Sequence, residues 1–460
     1  MRHPAISVES HLTRAETKPV LRPKPWLPTT APPHILLTNV SLIDVEDERI
    51  YPGSSVSLRD SRIQSISRDP EEPLTVPQNT QTLDLEGYYL CPGLIDCHVH
   101  LTATPGSTLL TDMFAASPHA LAYRTTHVAR TMLLRGFTSA RDTGGASAAL
   151  RDSIAEGLLP GPRLFIAGKA LSQTGGHGDA RPTHEEDAPC CGGHTVALCR
   201  TCDGVPACLS AARDELRKGA DFLKIMVGGG VASPSDQLDM LQFTAEEIRA
   251  ITTTARQSHT YVTAHAYTRE AIRHAVDNGV MGIEHGNLVD EETARYCAER
   301  GVHVTPTLIT YEGMTKPPFD GFLNEKQQAK NKEVLDAGLA AMKTWKDAGV
   351  DLCYGSDLLS GLHALQNGEF RVRNRVMGAK EILKSATVYA ARNLRMEGKL
   401  GVVKEGAIAD LLILAKNPLD DIEILDRMES ALLAIVKDGR VVASKLRRLA
   451  VDPLYDNMRI

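Results

Sequence analysis

The chain has 460 residues, of which 42% are hydrophobic and 23% charged, and a net charge of −6. This is the balance of an ordinary globular protein with ample length for a large core. It excludes nucleic-acid binders that depend on a dense basic surface, and no apolar run approaches the ~20 residues of a membrane span.

Residues 1–34 are rich in Pro, Thr and basic side chains and are expected to be a disordered tail. They lack the apolar stretch of a secretion signal, which predicts a reducing, cytoplasmic setting; Glu9 and Glu16 oppose an organelle-targeting reading. Residues 35–90 then alternate short β-rich runs with turns: Ile35–Val40, Ser55–Leu58 and Ile63–Ile66. Period-two alternation punctuated by Asp, Gly and Pro predicts antiparallel strands. A matching pattern returns over 400–445, where Lys437-Asp438-Gly439-Arg440 is a hairpin turn signal between apolar runs. Both chain ends are therefore predicted to build one small β domain, with 446–460 as a C-terminal tail.

Residues 91–399 alternate strand and helix. Candidate strands are Leu94–Leu101, Thr138–Arg141, Arg163–Ala167, Phe222–Val227, Tyr261–Ala266, Gly282–Glu284, His303–Thr307 and Asp351–Tyr354. One intervening helix opens with the capping box Thr244-Ala245-Glu246-Glu247. Another, Arg269–Asn278, spaces Ala271, Ile272, Ala275 and Val276 along one face and stops at Gly279. Strands alternating with helices predict an α/β fold, a (β/α)8 TIM-like barrel.

The chain holds nine cysteines, five of them between Cys190 and Cys208. Cys199-Arg-Thr-Cys202, with His194 nearby, allows a zinc knuckle or a disulfide. The other spacings match no standard zinc pattern, so surface thiols in a loop insertion are the favoured reading.

In Leu94-Ile95-Asp96-Cys97-His98-Val99-His100, the two histidines are two apart. On a strand they share a face and aim at one point, which suits a metal site. Four more ligand-type residues stand at or just beyond later strand-like runs: Lys224, His265, His285 and Asp357. In such a barrel the C-terminal strand ends carry the chemistry. Each residue alone has an ordinary reading, such as a salt-bridged lysine or an Asp357 helix cap. Together, at five strand ends, they form one constellation.

From about Ile35 to Ala443 the sequence resembles the amidohydrolase superfamily, and Pro92-Gly93-Leu94-Ile95-Asp96-Cys97-His98-Val99-His100 matches its opening motif. The resemblance is to the branch of imidazolonepropionase-like proteins, Xaa-Pro and Xaa-Arg dipeptidases and ochratoxinase. It implies a β-sandwich made from 35–90 and 400–445 beside the barrel of 91–399. It implies two divalent ions, zinc above all: one held by His98, His100 and Asp357, the other by His265 and His285. Lys224 would bridge both as N6-carboxylysine. Asp357 would also be catalytic, carrying a proton from a metal-activated hydroxide to the leaving amine.

Three further residues are candidates for substrate contact. His177 projects from the glycine-rich Leu171–Asp179 loop, which resembles the active-site-mouth loop of these relatives. Tyr267 lies two residues beyond His265 and, on a continuing strand, would face the same way; it could donate to a developing oxyanion. His363 follows the Ser356-Asp357 segment. Gly228-Gly229-Gly230 lacks the P-loop lysine and is read as a substrate-side loop rather than a phosphate cradle. Arg141 and Asp142 could pair with each other or with substrate.

The expected function is hydrolysis of the amide or peptide C–N bond of a dipeptide or N-acyl amino acid, ochratoxin-like amides included. A cyclic-amide, ester or phosphoester hydrolase on the same binuclear site is the alternative, since fold and metal do not decide substrate. A non-catalytic scaffold is disfavoured because all six ligand positions are filled. The partners expected are a small-molecule amide or dipeptide and further copies of the chain in a homo-oligomer, with no nucleic acid and no membrane.

Overall fold

A computed structural model describes residues 22–28, 33–106, 109–110, 116–179, 181, 198–456 and 458. Most of the expected tail 1–34, and Cys190, Cys191 and His194, lie outside these residues. Within that tail, residues 22–28 lie on the folded body, where Trp26 Nε1 donates to the Glu156 carbonyl at 3.2 Å.

The N-terminal strands are β1 (Ile35–Asp44), β2 (Arg49–Arg59), β3 (Arg62–Ser67), β4 (Gln81–Asp84) and β5 (Tyr89–Pro92). They share an eight-stranded sheet with β15 (Leu411–Leu414), β16 (Leu432–Lys437) and β17 (Arg440–Ser444). The two chain ends meet where β5 pairs antiparallel with β15, Leu90 opposite Ile413. The expected hairpin turn joins β16 to β17: Asp438 and Gly439 have φ of 52° and 71°, the two positive angles of a type I′ turn. Residues beyond 445 pack back on β17, with Leu449 and Tyr455 buried and Arg440 paired with Asp452 at 2.8 Å.

The barrel strands are β6 (Leu94–Val99), β7 (Phe137–Asp142), β8 (Arg163–Ile166), β9 (Ala170–Ser172), β11 (Leu223–Met226), β12 (Val262–Thr268), β13 (Gly282–Leu288) and β14 (His303–Thr305). The short β10 (Cys199–Thr201) pairs outside β9. The third barrel strand breaks at Gly168, whose φ is 69°. Its first half, β8, pairs with β7 and its second, β9, with β11. Residues 351–354, expected as the eighth strand, make only a Val304–Leu352 bridge. They still close the ring, because Cys353 N–H donates to the Val304 carbonyl and Cys97 N–H to the Tyr354 carbonyl, each at 2.8 Å. The segment does not continue as a strand because the chain turns inward there: Ser356 and Asp357 N–H both donate to the His98 carbonyl, at 3.3 and 2.8 Å.

Helices fill the connections, including α1 (Pro118–Leu134), α2 (Ala148–Ala155), α3 (Val205–Arg217), α4 (Ala245–Gln257), α5 (Arg269–Asp277), α6 (Glu291–Ala298), α7 (Leu308–Gly313) and α8 (Glu325–Asp347). The capping box at Thr244 and Glu247 is formed, and α5 buries Ala271, Ile272, Ala275 and Val276 as its spacing predicts. Among the described residues no helix is long and apolar enough to cross a membrane. Of the described members of the cysteine cluster, Cys202 and Cys208 are buried rather than surface thiols, free, and 3.8 Å apart at sulfur, while Cys199 is half-buried.

Candidate metal centre

His98 and His100 leave the end of β6 into the barrel mouth, both buried. Each has one ring nitrogen engaged from behind. His98 Nδ1 meets Glu284 Oε2 at 2.8 Å, and His100 Nδ1 donates to the Gly144 carbonyl at 2.8 Å. Their Nε2 atoms converge on Asp357 Oδ1, at 3.3 and 3.2 Å. Asp357 sits at φ 49°, a left-handed conformation uncommon for a non-glycine residue. Burial would raise its carboxyl pKa, but His98 and His100 hold it well below the usual range.

His265 on β12 donates Nε2–H to the Gly229 carbonyl at 3.1 Å, which leaves Nδ1 as its lone-pair nitrogen. His285 on β13 has Nδ1 against Thr307 Oγ1 at 2.8 Å and the Tyr311 hydroxyl at 3.0 Å, and among the described residues Nε2 has no hydrogen-bond partner. The two rings lie 4.6 Å apart. Ligand atoms of His98, His285 and Asp357 all fall within 4.8 Å of one another.

Lys224 on β11 is buried at 2% exposure. Among the described residues its Nζ has no hydrogen-bond or ion-pair partner. Burial is the main reason its pKa falls to about 8, with Glu284 and Asp357 opposing the shift.

The donor set fits a divalent ion. Imidazole nitrogens and a carboxylate suit zinc and its neighbours, and each histidine has its other nitrogen engaged by the protein, the usual way ligands are oriented. An unpartnered buried amine among them fits a lysine that is not an ammonium in the working protein.

The sequence reading did not anticipate Glu284. It lies fully buried between His98 and Arg141, whose Nη2 is 2.5 Å from Oε1. Burial would raise its pKa, but Arg141 and His98 hold the carboxylate well below its usual range. Adjacent strand residues point to opposite faces, so Glu284 and His285 would not both reach the centre on a regular strand. His285 has φ 75°, which breaks the alternation. The available signal was a carboxylate inside an apolar run, Gly282-Ile283-Glu284. Arg141 and Asp142 do not pair with each other. Arg141 holds Glu284, and Asp142 accepts from Leu101, Gly144 and Ala146 N–H, fixing the loop behind His100.

Of the substrate-side candidates, His177 stacks on His265 with ring centroids 4.1 Å apart. Tyr267 is buried, its hydroxyl 2.9 Å from that of Tyr311. His363 is buried in a short 3-10 turn with Nε2 on the Ala103 carbonyl at 3.0 Å. The loop after β11 is not a phosphate cradle: Gly229 gives its carbonyl to His265, and Gly230 packs against the His177 ring.

Residues 89–442 match the profile of the amidohydrolase family. A prolidase solved in complex with N-methylphosphonate-L-proline is 41% identical to this chain, with a TM-score of 0.85; the match covers 89% of this chain and 99% of that one. A Xaa-Pro dipeptidase solved with methionine in its active site is 29% identical, with a TM-score of 0.77 and coverage of 89% and 99%. The ochratoxinase of Aspergillus niger is 29% identical over 391 residues, 81% of this chain and 78% of that protein.

Proposed function

We infer that this chain, which belongs to the amidohydrolase family and is a hydrolase of carbon–nitrogen bonds, cleaves a dipeptide or an N-acyl amino acid to release a free amino acid. The observation that carries the reading is the convergence of His98, His285 and Asp357 ligand atoms within 4.8 Å at the barrel mouth. The prolidase likeness supports a dipeptide, and the ochratoxinase likeness supports an N-aroyl amino acid.

His98, His100 and Asp357 would hold one divalent ion, His265 and His285 a second, and Lys224, carboxylated on Nζ, would join them. Zinc is the metal proposed. Bound there, divalent ions supply Lewis acidity and bring the pKa of water down toward ~7. Carboxylation of Lys224 removes an ammonium that would repel cations and supplies two oxygen donors. The chain's own groups do the rest. Asp357, aimed into the mouth, accepts the proton of the attacking water and returns it to the leaving nitrogen. Tyr267 and His177 line the substrate side, and His363 supports the segment after Asp357. Placement in the cytoplasm and assembly as a homo-oligomer belong to the same proposal.

The test is amine release from a panel of dipeptides, N-aroyl amino acids and lactams, with protein reconstituted in zinc and bicarbonate and His98→Ala as the blank. Release from one amide series, absent in the blank, is the expected result. Native mass spectrometry should show one added carbon dioxide, absent in Lys224→Ala. Turnover confined to esters or phosphoesters would overturn the assignment.

A further inference from the structure

Behind His177 lies a buried chain of polar groups that the mechanism above does not use. His177 Nδ1 is 2.9 Å from Ser233 Oγ, and Ser233 Oγ is hydrogen-bonded to the Asp236 carboxylate and lies 3.1 Å from the Gly230 carbonyl. Asp236 Oδ2 also accepts from Gly230 N–H at 3.1 Å and Gln242 Nε2 at 2.9 Å, while Lys330 Nζ lies 3.4 Å from Oδ1. Gln242 Oε1 in turn accepts from His177 N–H at 2.9 Å. Ser233, Asp236 and Gln242 are all at most 4% exposed.

The direction of this chain is determined. Ser233 has one hydroxyl proton, and both of its acceptors, a carboxylate and a carbonyl, can only accept. Toward His177 the serine oxygen therefore acts as an acceptor, so the proton between them belongs to Nδ1. The neutral ring then carries its lone pair on Nε2. Gly230 lies against the ring, where a Cβ would meet Nδ1 at 2.0 Å and Cε1 at 2.1 Å. Among the described residues Nε2 has no partner. The ring itself lies flat on His265, beside the proposed metal centre.

We propose that Ser233 and Asp236 are positioning residues that lock His177 as its Nδ1–H tautomer, so that Nε2 accepts a hydrogen bond from an N–H of the substrate. The proposal rests on the amide-hydrolase reading above and deepens it. It makes the mouth selective for a substrate with an N–H beside the scissile carbonyl, where a histidine held in the opposite tautomer would donate to an oxygen. Asp236→Asn tests the logic: the side-chain amide can donate to Ser233, releasing the serine proton toward Nδ1 and reversing the tautomer.

The experiment uses the zinc- and bicarbonate-loaded protein and the dipeptide it cleaves best. Two analogues are compared with that dipeptide, one lacking the α-amino group and one N-methylated at the scissile nitrogen. Wild type should lose about tenfold in kcat/KM on one of them, mainly through KM, as expected for one hydrogen bond. Ser233→Ala and Asp236→Asn should erase that selectivity with metal content unchanged, and Ser233→Thr should retain it. Ring 15N shifts of His177, identified by difference from His177→Gln, should report N–H at Nδ1 in the wild type. Equal selectivity in wild type and Ser233→Ala, no selectivity in the wild type, or N–H at Nε2 would each overturn the proposal while leaving amide hydrolysis intact. Absence of any amide substrate would instead overturn the reading on which it rests.

Discussion

Glu284 stands between His98 and Arg141, with one carboxylate oxygen 2.8 Å from His98 Nδ1 and the other 2.5 Å from the guanidinium. All three side chains are at most 1% exposed. The contact decides which nitrogen of His98 faces the mouth. It also balances a cation that would otherwise be buried alone, and the short Thr263 hydrogen bond holds the carboxylate in place.

Glu284→Gln should therefore damage two properties together. The amide keeps the shape but loses the charge-assisted bond to His98, and such partners typically contribute 10–100-fold in metal affinity. It also leaves Arg141 without its anion, a loss of about 3 kcal/mol for a broken buried pair. Zinc titration against a competing chelator and urea unfolding of the metal-free protein measure the two effects. Wild-type zinc affinity in the variant would remove Glu284 from the site.

Asp357 is the only proposed ligand whose carboxylate is also placed to move a proton. Asp357→Asn keeps one oxygen donor and removes the base. A general acid–base role predicts a fall in kcat of roughly 10²–10⁴-fold. If metal content falls to zero in step with activity, the residue is a ligand only. If metal content survives and turnover is lost, the proton role stands.

How far these features were legible follows from strand geometry. His98 and His100 were readable because a spacing of two on a strand means a shared face, and both Nε2 atoms do reach Asp357, although the pairing of β6 with β7 shifts register between Asp96 and Val99. The turn at Asp438 and Gly439 and the cap at Thr244 were readable because both are local chemistry. Glu284 was not, because its partner Arg141 is far away in sequence and because the left-handed His285 breaks the alternation that a reader would assume. The polar cluster behind His177 was missed for a similar reason. Ser233 and Asp236 sit in a glycine-rich loop that looks flexible as a string. They are held there in part by the distant Lys330, near the start of α8, whose ammonium meets the Ser233 and Asp236 carbonyls at 3.2 and 3.3 Å.

Glu312 on α7 predicts a pH effect. It is paired with Lys316, Arg371 at 3.1 Å and Arg375 at 2.9 Å. Burial would raise its pKa, but these cations lower it from 4.5 to about 2. A carboxyl depressed in the folded state contributes stability above the unfolded pKa, and that contribution is lost as pH falls from about 4.5 through about 2. Discounted for the exposure of its partners, the contribution is about 2 kcal/mol at neutral pH. Glu312→Gln should show that loss in urea unfolding at pH 7 and converge with the wild type near the acid limit. The same variant should loosen α7, which carries Tyr311 to His285. A constant difference at every pH would place the effect in packing rather than charge.

Gly230→Ala tests the crowding around His177 without removing a polar group. A Cβ at this position would lie 2.0 Å from His177 Nδ1 and 2.1 Å from Cε1. The ring cannot simply recede, because His265 is stacked on it at 4.1 Å and Ser233 holds Nδ1. Either the ring leaves its place or the loop carrying Gly230 moves, and misplacement of about 1 Å can cost 10²-fold in rate. The expected outcome is a kcat/KM loss of at least about tenfold with zinc content unchanged, and a stability loss of about 1–3 kcal/mol from overpacking. The double variant separates the two causes. With His177→Ala the space opens, so adding Gly230→Ala should cost nothing further, the non-additivity expected of residues in contact. If the two losses instead multiply, the alanine acts through the Gly229 carbonyl and His265, and the close approach of Gly230 to His177 is not what the glycine is there to allow.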